Sequence, residues 1–291
     1  MIDTTPGTAV AGVFPAGRRR PRWRWVAMLL TLALVATAGG GNPGASATGR
    51  GPGSSAGRAR VEPPPMAFPD VPAAGRSRQP PSPEDVVALP GPVPAKGLGK
   101  FTYAPGRGPV LGTAGPIKQF RVAVERGVGE GVVAFAEQVE DTLGSRRSWV
   151  GGGGIRLRRV SGAGREWADF TVFLASRESA AAMCHRGGVD IRAGSIPYTS
   201  CRTPGKVIIN LDRWRLSAPP YAGAKIPLAV YRQYVINHEV GHELGHAHQG
   251  CPKRGDPAPV MVQQTLSLRG CVPYAWPRRA NRWLSGPPVR R

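Results

Sequence analysis

The stretch His238-Glu239-Val240-Gly241-His242-Glu243-Leu244-Gly245-His246-Ala247-His248 places four of the chain's five histidines within eleven residues. On a helix, positions i and i+4 stand one above the other on a single face, so the imidazoles of His238 and His242 can reach the same metal ion. Glu239 sits beside that pair. In the pattern H-E-x-x-H the glutamate is placed to take a proton from an attacking water, and not to bind the ion.

A catalytic zinc ion also needs a third protein ligand and one open position. His246 keeps the four-residue spacing, but on a straight helix it stands about 12 Å from His238, at about 1.5 Å per residue. That is too far for bonds of about 2 Å to one centre. Gly245 offers a way round, because glycine readily adopts the left-handed conformation that ends a helix and turns the chain back. His248 can then approach the ion from another direction. No glutamate follows Glu243, so a downstream glutamate ligand is excluded; Asp256, the only acidic residue left, is the rival to His248.

Taken together, His238, Glu239, His242, Gly245 and His248 resemble the metzincin signature H-E-x-x-H-x-x-G-x-x-H at all five fixed positions. Metzincins also carry a methionine in a tight turn beneath the zinc. Met261 in Pro259-Val260-Met261-Val262-Gln263-Gln264, thirteen residues after His248, is the counterpart that the resemblance implies. The tyrosine that some metzincins place two residues beyond that methionine is replaced here by Gln263. Residues from about 100 to 277 are also similar to an uncharacterised family of secreted actinobacterial proteins, through N-H-E-V-G-H, P-V-M-V-Q-Q-T and an R-W pair ahead of the active helix. The resemblance implies an α+β, zincin-like domain with a mixed twisted sheet, a long zinc-binding helix and a Met-turn. It implies one Zn2+ per chain and peptidase activity, but no particular substrate.

Ahead of this region the chain reads differently. Arg18-Arg19-Arg20, Arg22 and Arg24 precede an apolar run from Trp25 to Ala38, with Ala36-Thr37-Ala38 as a small-residue cleavage site. This is the layout of a secretory signal. The run is shorter than the roughly 20 apolar residues of a spanning helix, so residues 1–38 are expected to form a cleaved signal peptide, with an uncleaved transmembrane anchor as the alternative. Either leaves the remainder exported, secreted or held at the outer face of the cytoplasmic membrane. From 39 to 99 Gly, Pro, Ala and Ser dominate, a composition that buries too little apolar surface to offset its ordering entropy and reads as a disordered linker. Residues 100–284 then form the expected zincin-like domain, and 285–291 a basic tail.

Within the domain, Phe120–Glu125, Ile155–Val160, Asp169–Ala175 and Val207–Leu211 read as strands, and the apolar spacing predicts a helix over Gly129–Leu143. Pro227 suits the first turn of the motif-bearing helix, where its missing N–H costs nothing. Leu228, Tyr231, Val235, His238, His242 and Gly245 follow one face of that helix, so an apolar stripe leads into the ligands. The fifth histidine, His185, lies far from the motif and has no expected role in the metal chemistry. Four cysteines allow three connectivities, and pairing Cys184 with Cys201 and Cys251 with Cys271 closes two local loops, the second around Met261. No C-x-x-C spacing points to a second zinc site, and export favours disulfides.

The net charge is +21, and from residue 101 onward 27 basic residues face 13 acidic ones, so an excess of +14 belongs to the domain itself. Outside a cell, the anionic partners of such a surface are lipid headgroups, phosphorylated wall polymers and acidic proteins. Export and the lack of a nucleic-acid motif argue against nucleic acid. Two functional classes survive. One is a zinc endopeptidase acting on proteins or peptides at the cell envelope, with Glu239 as general base. The other is a non-catalytic, zinc-stabilised envelope-binding module in which His246 or Asp256 closes the open position. Glu239 separates them, since a closed structural site has no use for a base.

Overall fold

The computed structural model describes residues 85–164 and 166–289. The first elements are strands β1 (Phe101–Tyr103), β2 (Val110–Leu111) and β3 (Ile117–Glu125), then helix α1 (Val132–Gly144) and a 3-10 turn (Trp149–Gly152). Strands β4 (Arg156–Arg159) and β5 (Phe170–Ala175), helix α2 (Arg177–Arg186) and the short strands β6 (Arg192–Ala193) and β7 (Ile196–Pro197) follow. Next come β8 (Cys201–Thr203), β9 (Lys206–Asn210), α3 (Leu211–Leu216), α4 (Pro219–Gly223) and α5 (Leu228–Glu243), and last the pair β10 (Arg278–Arg279) and β11 (Arg282–Trp283).

One mixed sheet organises the domain in the order β2-β4-β3-β5-β9-β8, with β1 pairing the C-terminal half of β3. The central strands β4, β3, β5 and β9 run parallel, whereas β1, β2 and β8 pair antiparallel with their neighbours. Because side chains alternate along a strand, β3, β5 and β9 feed two cores. Phe120, Val122 and Val124, Phe170, Val172 and Leu174, and Val207 and Ile209 join α1 and α5 on one face. Ala123, Phe173, Ala175 and Ile208 meet Ala180, Met183 and Cys184 of α2 on the other. Covering both faces is what makes these strands read as nearly continuous apolar runs. The fold is thus α+β, as its sequence pattern indicates.

Several details differ from expectation. Leu211 starts α3 instead of ending a strand, because the Asn210 side chain caps that helix by accepting from Asp212 N at 3.0 Å. Pro227 stands at the N-cap of α5, one place before its first turn. Nor is α5 apolar along one stripe: Tyr234, Ile236, Asn237, Glu239 and Val240 are buried together with Leu228, Tyr231 and Val235. The helix is covered by β9 and α1 and also by the segment that carries Met261, so it has little outward face.

The folded unit also extends past the boundaries read from composition. Val86 O accepts from Leu228 N at 2.7 Å, Leu89 N donates to Arg215 O, Ala95 O accepts from Glu178 N, and Leu98 N donates to Arg126 O. The last part of the expected linker is therefore laid along the domain, tied to it by these backbone bonds despite the Pro and Gly content. Part of the expected tail behaves likewise, with Pro287 O accepting from Gly250 N at 2.7 Å and Val289 N donating to His248 O at 3.3 Å. Residues 1–38, the linker up to residue 84, and Arg290 and Arg291 lie outside the described residues. Among the described residues no helix is long and apolar enough to cross a membrane. Both expected disulfides are formed, Cys184 with Cys201 and Cys251 with Cys271.

Candidate metal centre

The long helix α5 carries His238, Glu239 and His242 in its last two turns. Leu244 N and His246 N close that end on the carbonyls of Val240 and Gly241, and Gly245 sits at φ +97°, a left-handed conformation that turns the chain away. After this turn His248 comes back beside the other two. It is held there by its neighbours: its own carbonyl accepts from Val289 N, and Gln249 N donates to Met261 O at 3.0 Å.

One ligand atom from each of His238, His242 and His248 lies within 4.8 Å of the others. The His238 and His242 rings are oriented by backbone carbonyls, which can only accept, so the ring nitrogen facing each must be the donor. His238 Nδ1 donates to Val260 O and His242 Nδ1 to His246 O, both at 2.8 Å. Each ring then turns Nε2 and its lone pair to the centre, the second-sphere arrangement that fixes the tautomer of metal-binding imidazoles. His242 Nε2 stands 3.0 Å from His248 Nε2. Burial, and then the charge of His242, push the His238 pKa well below its ordinary value, so the ring is kept in the neutral form that a cation needs. Three imidazoles without thiolate or carboxylate fit a borderline ion such as zinc, copper, iron or nickel.

Next to these ligands Glu239 is 5 % exposed, and burial alone pushes its carboxyl up to about 8. Its carboxyl lines a cleft of about 560 Å³ together with the three histidines. The same cleft is bordered by Asp190, Arg192 and Arg202 around β8, and by Gln263, Thr265 and Leu266 beyond the Met261 turn. Asp190 and Arg192 lie within the segment closed by Cys184–Cys201, with Arg202 next to its end, and the second border lies within the segment closed by Cys251–Cys271.

Met261 is buried in the turn Pro259–Val262, where Val262 N donates to Pro259 O at 3.0 Å. Its thioether and the Trp149 ring pinch α5 at Gly241: a Cβ there would stand 2.6 Å from Met261 Sδ and 2.6 Å from Trp149 Cζ2. Any side chain at this position must displace one of them. The candidates His246 and Asp256 stay outside the ligand group. The His246 ring stacks on Trp149 at 4.3 Å instead, while His185 borders a separate groove.

The supporting residues were quoted in the motifs without a role. Asn237 is fully buried: it accepts from Ser148 Oγ at 2.7 Å and donates to Ala275 O, and its carbonyl accepts from Trp149 Nε1. Gln264 is also fully buried, accepting from Tyr221 Oη at 2.8 Å and donating to the carbonyls of Pro259 and Tyr274. Tyr234 Oη donates to Val262 O and accepts from Gln264 N. These bonds fasten the Met261 turn to α5. The letters N and Q-Q in the motifs were the only sequence signal for them; Trp149 had none. Comparison with curated proteins and with solved structures gave no match. Residues 88–274, which hold every ligand candidate and the Met261 turn, match DUF3152, described as a protein of unknown function, and the chain belongs to that family.

Proposed function

We propose that the chain is a zinc-dependent endopeptidase on a zincin-like, metzincin-like domain, exported and acting at the cell envelope. The observation that carries this reading is the meeting, in one cleft, of three imidazole ligand atoms within 4.8 Å of one another and the buried carboxylate of Glu239. Zinc is the redox-inert choice among the ions that suit three imidazoles, and its catalytic sites keep one position open. Neither His246 nor Asp256 joins the ligand group, which favours an open site over a closed structural one.

His238, His242 and His248 would hold the ion, which supplies Lewis acidity that acidifies a water and polarises the scissile carbonyl. A dication held there would offset the burial that raises the Glu239 carboxyl and favour its ionised, basic form. Glu239 then takes a proton from the attacking water and delivers it to the leaving amine. Strand β8 ends the sheet, and its Cys201 and Arg202 line the cleft, so an extended peptide can pair along its outer edge. Two disulfides suit an oxidising compartment. Metal analysis combined with cleavage of a denatured protein substrate tests the reading. One zinc per chain, loss of cleavage in chelator and recovery with added zinc are expected. A chain that takes up no zinc, or cleaves equally well in chelator, overturns it.

A further inference from the structure

The hairpin β10–β11 is joined by a two-residue turn, Ala280 and Asn281, with φ of 47° and 61°. Its register sets Arg279 directly opposite Arg282, and both are exposed. Like charges facing each other across two strands repel. Among the described residues no carboxylate forms an ion pair with either one. Arg278 N donates to Arg147 O at 3.1 Å, which brings the exposed Arg146 and Arg147 alongside the base of the hairpin. Those two also have no ion pair among the described residues. On the opposite face of the hairpin, the Arg278 guanidinium lies 4.9 Å from the Trp283 ring centroid, and Trp283 packs at 5.8 Å against Trp149. The arginines are therefore presented on a rigid backing, and Trp149 in turn stacks on His246 at the cleft.

We propose that this face docks a linear phosphodiester polyanion of the kind carried by cell envelopes, with Arg279 and Arg282 forking one phosphate and Arg146 and Arg147 meeting its neighbours. Guanidinium groups match phosphate with two parallel hydrogen bonds, and an anion between Arg279 and Arg282 turns their repulsion into a shared attraction. A phospholipid bilayer is the competing partner, but it rewards apolar side chains that enter it, and the half-exposed Trp283 is engaged by Trp149 and by the Arg278 guanidinium. The docking does not depend on the metal chemistry. Its effect is to bring the cleft to material borne on the polymer.

The test is binding of the full chain to poly(glycerol phosphate) over a range of salt concentrations. Arg279→Gln/Arg282→Gln is compared with wild type and with Arg126→Gln/Arg186→Gln, an exposed pair that removes the same charge elsewhere. The N-terminal arginines are common to all three proteins and cancel. The hairpin pair should weaken binding about thirtyfold at low salt, roughly fivefold per arginine. It should also lower the slope of log affinity against log salt by about 0.7, the value for the one phosphate that the two arginines share. The control pair should retain most of the affinity, and thermal unfolding of both should match wild type. Equal losses in the two pairs overturn the proposal. So does wild-type binding to vesicles of phosphatidylglycerol and phosphatidylcholine without binding to the polymer.

Discussion

Replacing Gly241 by alanine sets two effects of comparable size against each other. In a helix interior alanine is better than glycine by about 1 kcal/mol. Against that, the new Cβ would meet Met261 Sδ and Trp149 Cζ2, each at 2.6 Å, where relaxed contacts stand at about 3.5–4.0 Å. Neither neighbour yields cheaply. Met261 is buried in the turn whose Val260 carbonyl orients His238, and Trp149 is fixed by the Asn237 carbonyl and by its stack on His246. Overpacking of this kind costs about 1–3 kcal/mol, so the net effect runs from near zero to a loss of about 2 kcal/mol. For a domain of this size, each kcal/mol lowers Tm by roughly 2–4 °C. The larger signal is in the metal: both displaced groups stand behind ligands, and such loss of orientation weakens metal binding by about 10–100-fold. Chelator competition gives the zinc Kd, and unfolding in chelator isolates the stability of the metal-free protein. Met261→Ala in the same chain makes room and should recover part of the affinity, a coupling that a double-mutant cycle reads directly. If Gly241→Ala alone binds zinc as tightly as wild type and unfolds no earlier, helix propensity wins and the pinch does not orient the ligands.

His248→Ala should weaken zinc binding by more than about a hundredfold, beyond what loss of an outer-sphere group produces, whereas His246→Ala should change it by about tenfold or less; the reverse order in a chelator titration would reassign the third ligand. Cys251→Ser frees the segment that contains Met261 and Gln263, and Cys184→Ser the segment of Asp190 and Arg192, so zinc retention on dialysis should suffer more from the first. Equal retention would separate the Met261 turn from metal binding. Glu125 gives a pH dependence: burial raises its carboxyl, but donors at Ser179 Oγ, Gly99 N and Ser176 N outweigh that and leave it below its ordinary value of 4.5. Its contribution is therefore present above about 4.5 and lost as pH falls through the depressed value. Glu125→Gln should destabilise the fold at neutral pH and converge with wild type in acid; parallel curves at all pH values would contradict this.

The candidate ligands were legible because they are local. His238 and His242 share a helix face, and Gly245 announces the turn that His248 needs, so eleven consecutive residues hold most of the geometry. Strand and helix positions were legible for a related reason: burial on both faces writes β5 and β9 as apolar runs. The nearest-neighbour pairing of cysteines succeeded because each loop is short, with separations of 17 and 20 residues. Trp149 escaped because its partner Asn237 lies 88 positions away and no spacing rule links them. Residues 86–98 escaped for a different reason. Their Pro and Gly content reports how they behave alone, while Val86, Leu89, Ala95 and Leu98 bond to the backbone of α5, α3, α2 and the residue after β3. Composition likewise misjudged the end of the chain, where Pro287 and Val289 brace the His248 segment.

The most direct measurement compares peptide cleavage by wild type, Glu239→Gln and Glu239→Ala at equal zinc occupancy. The three imidazoles, and the carbonyls that His238 and His242 bond, do not involve the Glu239 side chain, so both variants should keep one zinc and the fold. Cleavage should fall in both by at least the roughly 10²–10⁴-fold that a general base contributes. Full zinc with cleavage at the wild-type rate in both variants would mean that Glu239 is not the base. Full zinc with no cleavage by wild type under any condition would leave a metal-stabilised module in place of an enzyme.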